Sequence, residues 1–135
     1  MTNLLQPGIP INKLHGISIL ALAHIGDGVY ELMVRTRLCL NGTPTAKLLH
    51  TATVKQVNAT RQAVAARALQ QHFTQEEIDV FRRGRNAKSP TMPKNIAPED
   101  YKLATALEAV FGHLYLTGNT ARLNALMDII GGLEN

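Results

Sequence analysis

The chain has 135 residues and is poor in the residues that favour sheets: no tryptophan, three tyrosines and three phenylalanines, together 4% of the sequence. Runs alternating apolar and polar residues are few, and no hairpin dipeptide sits between β-branched segments. Those absences exclude a β-rich fold and predict an all-helical one. A single cysteine, Cys39, rules out an internal disulfide and a cysteine-based zinc site; on an apolar-rich helix it reads as a small core residue. No apolar stretch is long and uncharged enough to span a bilayer, because Asp27, Glu31 and Arg35 interrupt the best candidate. The opening MTNLLQPGIPINKLHG has no positive n-region and carries prolines where a signal peptide needs its apolar helix, so the cytoplasm is the expected location. Acids are missing between Glu31 and Glu76 and again between Asp79 and Glu99, and these stretches hold eleven of the fourteen lysines and arginines. Such segregation gives an extended positive field suited to a polyanion such as nucleic acid. For the first stretch, solvated helix faces explain the basic residues equally well.

The length fits one domain with a real hydrophobic core, residues 1–135, of which 1–16 are an irregular lead-in containing Pro7, Gly8 and Pro10. A helix is predicted from Ser18, its N-cap, to Leu40, with Asn41-Gly42-Thr43-Pro44 as the stop. Leu22, Ile25, Val29, Leu32 and Met33 are its expected inner side. A second helical region covers residues 45–72 and breaks near Val57-Asn58, where the apolar phase shifts. Thr74-Gln75-Glu76-Glu77 is a capping box that opens a short helix. A loop is expected from Gly84 to Pro98, then a helix from Pro98 to Leu116 and a last one over residues 120–130, closed by Gly131-Gly132.

Gly26-Asp27-Gly28 is out of place inside the apolar run from Ile19 to Val34. Two glycines inside a helix cost roughly 1 kcal/mol each relative to alanine. An ionised carboxylate beside a core face adds a desolvation penalty, and Asp27 and Glu31, one turn apart, repel. Bound metal with close backbone approach accounts for all three; so does a turn between two short helices with Asp27 as a cap. The second unusual acid is Glu108, beside the stripe of Leu103, Leu107, Val110, Phe111 and Leu114, with small residues (Thr105, Gly112) a turn away on either side. Alone it reads as a surface glutamate. Paired with Asp27 from a facing helix it could hold a divalent cation, with water and a substrate phosphate completing a Mg²⁺ shell.

The segment Arg82-Arg83-Gly84-Arg85-Asn86-Ala87-Lys88 is dense in phosphate donors, and Gly84 is expected to let the backbone approach a ligand. Basic charge without interleaved aromatics favours reading a backbone over stacking on bases, hence double-stranded over single-stranded nucleic acid. Carboxylate-held metal next to arginines suggests metal-assisted phosphodiester hydrolysis. There is no Glu-x-x-His pair, HExxH, P-loop, dinucleotide fingerprint or serine elbow to support other chemistries.

LALAHIGDGVYELMVR resembles the signature helix of the ribonuclease III family, and RRGRNAKSPTMPKN followed by LEAVFGHLYLTG resembles its later loop and helix. The likeness runs from Ile17 to Leu126 and is strongest to Mini-ribonuclease III, the short bacterial branch that lacks a double-stranded-RNA-binding domain. It implies an all-helical ribonuclease III-like fold and a homodimeric endonuclease that depends on Mg²⁺, with Mn²⁺ able to substitute. Such an enzyme cleaves both strands of duplex RNA, leaves 5′-phosphate and 3′-hydroxyl ends, and matures the precursor of the large-subunit (23S) ribosomal RNA. Asp27 matches the signature aspartate and Glu108 the glutamate of the second motif; both are expected to be catalytic metal ligands. Full-length ribonuclease III has two further acids, at positions occupied here by Ala23 and Thr105, and Mini-ribonuclease III is similar in lacking them. Water or Glu31 is expected to complete the shell, Glu31 being alternatively a surface ion-pair partner. Arg82, Arg83, Arg85, Asn86 and Lys88 are the expected RNA contacts, with Lys94 and Asn95 ordering the loop. The missing acids also fit a catalytically silent helical domain that binds RNA on a ribosomal particle.

Overall fold

The computed structural model describes residues 1–42, 45–89 and 91–133. Six α-helices follow in order: α1 (Ile19–Leu40), α2 (Ala46–Val57), α3 (Ala59–Leu69), α4 (Gln75–Arg85), α5 (Pro98–Leu116) and α6 (Thr120–Gly132). Among the described residues there is no strand, as the sequence leads one to expect. The helix starts follow from local chemistry. Ser18 accepts from the Ala21 amide, Thr45 from Leu48 and Asn58 from Arg61, while Thr74 and Glu77 form a full capping box. Asn58 also ends α2, which is why the long second region breaks there. Thr43 and Pro44 of the anticipated stop after α1 lie outside the described residues. The lead-in contains a 3₁₀ turn, Ile11–Gly16, that buries Leu14, and the Ile9 amide donates to the Leu116 carbonyl at 2.7 Å.

Helix α5 is the centre of the molecule. Ala104, Ala106, Ala109 and Gly112 are buried together with the predicted stripe, so its burial extends around the axis rather than along one face. Helices α1, α3 and α4 pack around it, with Tyr30 of α1 meeting Phe111 edge-on at 5.1 Å between ring centroids. Glycines set the approach distances. A Cβ at Gly26 would collide with the Glu108 backbone carbonyl, and one at Gly112 with the carbonyl of Leu22, so α1 and α5 touch backbone to backbone. A Cβ at Gly84 of α4 would lie 2.9 Å from the Ala106 Cα. Gly28 faces open space.

This packing corrects several sequence expectations. Helix α1 runs unbroken through Gly26-Asp27-Gly28, in line with the helix predicted from Ser18 to Leu40 and against a turn at Asp27, but its buried face is Leu22, Ala23, Gly26, Tyr30 and Val34. Ile25 and Leu32 are exposed, Leu32 at 60%, because the contact with α5 runs along the glycine and not along the large apolar side chains. Cys39 is exposed rather than in the core. Helix α4 continues to Arg85, so Arg82, Arg83 and Arg85 lie on its last turn and not in a loop; Gly84 serves the contact with α5. Gly131 and Gly132 belong to α6 instead of ending it.

An ion pair on a buried glutamate ties α6 to α4. Glu77, 2% exposed, accepts from Arg122 Nε at 2.8 Å and Nη2 at 2.9 Å. Burial alone would raise the Glu77 pKa, but the Arg122 hydrogen bonds, the Thr74 amide and the Arg122 charge outweigh it and hold the carboxyl below its ordinary range.

The glycines give opposite expectations within one helix. Gly26→Ala should lose about 3 kcal/mol or fail to fold, since neither backbone can yield. Gly28→Ala should gain up to about 1 kcal/mol from helix propensity alone. Urea unfolding of the two variants checks both; equal effects would contradict the close crossing.

Candidate active site

The crossing that presses Gly26 onto Glu108 also delivers two carboxyl groups to one place. Asp27 follows Gly26 on α1, and Glu108 is the residue whose carbonyl Gly26 meets on α5. Their side chains hydrogen-bond. Asp27 is exposed and Glu108 half-buried, so the pair is open on the Asp27 side. Burial first, then the hydrogen bond to Asp27 and its negative charge, push the Glu108 carboxyl up to about 9. The Gln62 amide, facing the same carboxyl from α3, pulls the other way. At neutral pH Glu108 therefore keeps its proton, beside the negative charge of Asp27.

Glu31, one turn along α1, forms an ion pair with Arg35, Oε2 to Nη2 at 3.0 Å. Among the described residues no group of three or more acids, histidines or cysteines is placed to hold a metal ion. Ala23 is buried against α5, and the Thr105 hydroxyl donates to the Tyr101 carbonyl at 3.0 Å, so neither position adds a ligand. Gly112, the small residue one turn on from Glu108, is taken up by the helix crossing.

The basic residues gather at the end of α4 and the start of α5. Arg85, Asn86, Lys88 and Lys102 line an open cavity of about 590 Å³ between the end of α4, the following segment and α5. Arg85 donates twice to Glu99 Oε1, at 2.6 and 3.1 Å. Arg82 pairs with Asp79 at 3.3 Å and Arg67 with Asp100 at 2.7 Å. Arg83, Lys88, Lys94 and Asn95 are exposed. Pro90 lies outside the described residues.

Gln62 and Lys102 were not among the residues expected from the sequence. Gln62 had a detectable signal: it occupies the buried phase shared by Ala66 and Leu69, where a polar residue is out of place. Lys102 had none, being one basic residue on a helix surface.

The Glu108 shift gives a pH dependence with a definite sign. Its native pKa of about 9 lies above the 4.5 of an ordinary glutamate, so between those values only the native state holds the proton. Stability falls as pH rises through that window. Glu108→Gln, which does not titrate, should therefore raise the melting temperature of metal-free protein more at pH 8 than at pH 5. An equal gain at both pH values would contradict the shift.

The model of the Ribonuclease III domain family matches residues 20–119 of this chain. The Mini-ribonuclease 3 of Staphylococcus aureus is 40% identical over 126 residues, covering 92% of this chain and 94% of that protein. The Mini-ribonuclease 3 of Clostridium tetani is 42% identical over 112 residues, covering 82% and 74%. A crystal structure of a Fusobacterium nucleatum protein superposes with a TM-score of 0.81 at 28% identity, covering 91% of this chain and 98% of that one. With its paired acids on the matched helices, the chain belongs to the ribonuclease III family, in the branch of the Mini-ribonucleases 3, and is an endoribonuclease.

Proposed function

We propose that this endoribonuclease cuts double-stranded RNA as a homodimer, using a divalent cation held by Asp27 and Glu108. The observation that carries the reading is the convergence of those two carboxyls at the α1–α5 crossing. The donor set suits Mg²⁺, which binds through one or two carboxylates and keeps its remaining positions for water and phosphate oxygens; Mn²⁺ accepts the same ligands. When bound, such a cation activates water and offsets charge on the scissile phosphate. Asp27 and Glu108 supply the negative charge that attracts it, with Glu108 surrendering its proton. Glu31 joins the shell only by leaving Arg35.

Arg82, Arg83, Arg85, Asn86 and Lys88 position the RNA phosphates, with Lys94 and Asn95 in the adjoining segment. Arg82 and Arg85 exchange their exposed carboxylate partners for phosphate oxygens, and exposed pairs of this kind are weak, about 0–1 kcal/mol. No aromatic residue lines the cavity, which favours the duplex backbone over unstacked bases. Ile25 and Leu32, left exposed one face away from α5, suit burial against a second copy. A dimer would bring one acid pair to each strand. The resemblance to Mini-ribonuclease III supports the 23S ribosomal RNA precursor as the substrate and the cytoplasm as the place. No helix among the described residues is long and apolar enough to cross a membrane.

Cleavage of a long RNA duplex, with Mg²⁺ and then with chelator, tests the reading. Asp27→Asn and Glu108→Gln should each lose cleavage while retaining duplex binding. Normal cutting by Asp27→Asn would sink the assignment. Replacing Arg83 and Arg85 with alanine should weaken binding to all duplexes, lowering the salt slope by roughly 0.9 for each phosphate that is no longer neutralised. An unchanged slope would remove the last turn of α4 from the RNA interface.

A further inference from the structure

Of the buried residues on α3, Gln62 alone is polar, the others being Ala63, Ala65, Ala66 and Leu69. It is 2% exposed, and its Nε2 meets no acceptor at full hydrogen-bond geometry among the described residues, although it faces the Glu108 carboxyl and favours the charged form of that group. A buried amide nitrogen without a partner is destabilising, and native structures keep few of them. This one faces the Glu108 carboxyl, the group on which Asp27 also acts.

We propose that Gln62 is the positioning residue of the acid pair: once Asp27 and Glu108 hold the cation, its Nε2–H donates to one oxygen of the Glu108 carboxylate and leaves the other for the cation. The inference rests on the reading of Asp27 and Glu108 as the cation's ligands. A neutral donor suits the task. Lysine or arginine at position 62 would orient Glu108 equally well but would cancel the charge that attracts the cation. An apolar residue would leave the carboxylate free to rotate toward Asp27. Partners behind a metal ligand commonly contribute 10- to 100-fold in metal affinity.

The test compares the full chain with Gln62→Leu, Gln62→Met and Asp27→Asn by three readouts. They are Mn²⁺ binding by electron paramagnetic resonance, the Mg²⁺ dependence of duplex cleavage, and the melting temperature without metal. Gln62→Leu should weaken Mn²⁺ binding roughly 10- to 100-fold and shift the half-saturating Mg²⁺ concentration by a similar factor. The maximal rate should recover at saturating Mg²⁺. Its metal-free melting temperature should equal or exceed that of the parent, because the unpartnered amide is gone. Gln62→Met, unbranched and of similar volume, keeps the test open if the leucine variant does not fold. Parental Mn²⁺ affinity in the Gln62 variants, with binding lost in Asp27→Asn, overturns the role of Gln62 and leaves the ligand reading standing. Parental affinity in Asp27→Asn as well overturns both. Weaker Mn²⁺ binding accompanied by a lower metal-free melting temperature in both Gln62 variants would show a packing role and also overturn the proposal.

Discussion

Two helices in this protein touch through their backbones, and the rest of the site depends on that contact. Gly26 on α1 and Gly112 on α5 have no side chain to hold the axes apart, so the Glu108 carbonyl and the Leu22 carbonyl each lie where a Cβ would otherwise be. At an ordinary interaxial separation of 8–10 Å, carboxyl groups reaching from the two helices would have room to stay apart and solvated. Close approach forces Asp27 and Glu108 onto one another, and the pair avoids the repulsion of two charges by keeping a proton on Glu108. The local costs are plain: glycine in a helix interior, a half-buried acid that keeps its proton, and a buried glutamine nitrogen without a partner. All three gather around Glu108, where α1 and α3 meet the central helix, and local rules broken together in this way are a mark of functional sites.

Two kinds of ion pair divide the labour around that point. Buried Glu77 takes a bidentate pair from the partly exposed Arg122, and the pair anchors α6 to the start of α4, where loss of the arginine would strand a buried charge. The pairs at the other end of α4 and along α5, Arg82–Asp79, Arg85–Glu99 and Arg67–Asp100, reach into solvent and contribute little to stability. The first kind fixes where the last turn of α4 points; the second leaves its guanidinium groups free to change partners. A rigid scaffold therefore presents a cationic surface held only by weak, exposed ion pairs, at the end of a helix that packs against the one carrying Glu108.

The errors of sequence reading have physical reasons. Counting large apolar side chains placed Ile25 and Leu32 of α1 inside, whereas the true contact follows Gly26, which carries no hydrophobic signal. The same blindness made Gly84 look like a point of close backbone approach to a ligand in a phosphate-binding loop, when it packs against Ala106 and Ala109 in a helix that runs to Arg85. Gly28, which belongs to the same short motif as Gly26, meets nothing. Identical residues two positions apart thus have unrelated roles, and only the neighbouring helix tells them apart.

Helix starts, the break at Asn58 and the capping box at Thr74 were legible because caps and i→i+4 bonds involve residues within a few positions of one another. The oddity of Asp27 and of Glu108 was legible too, since a charge beside an apolar stripe is visible in one dimension. Their meeting was not, nor was the amide of Gln62 behind them, nor the pairing of Glu31 with Arg35. Those depend on which face of each helix turns inward and how near the axes come, and both are set by the absence of two side chains at a crossing of distant segments.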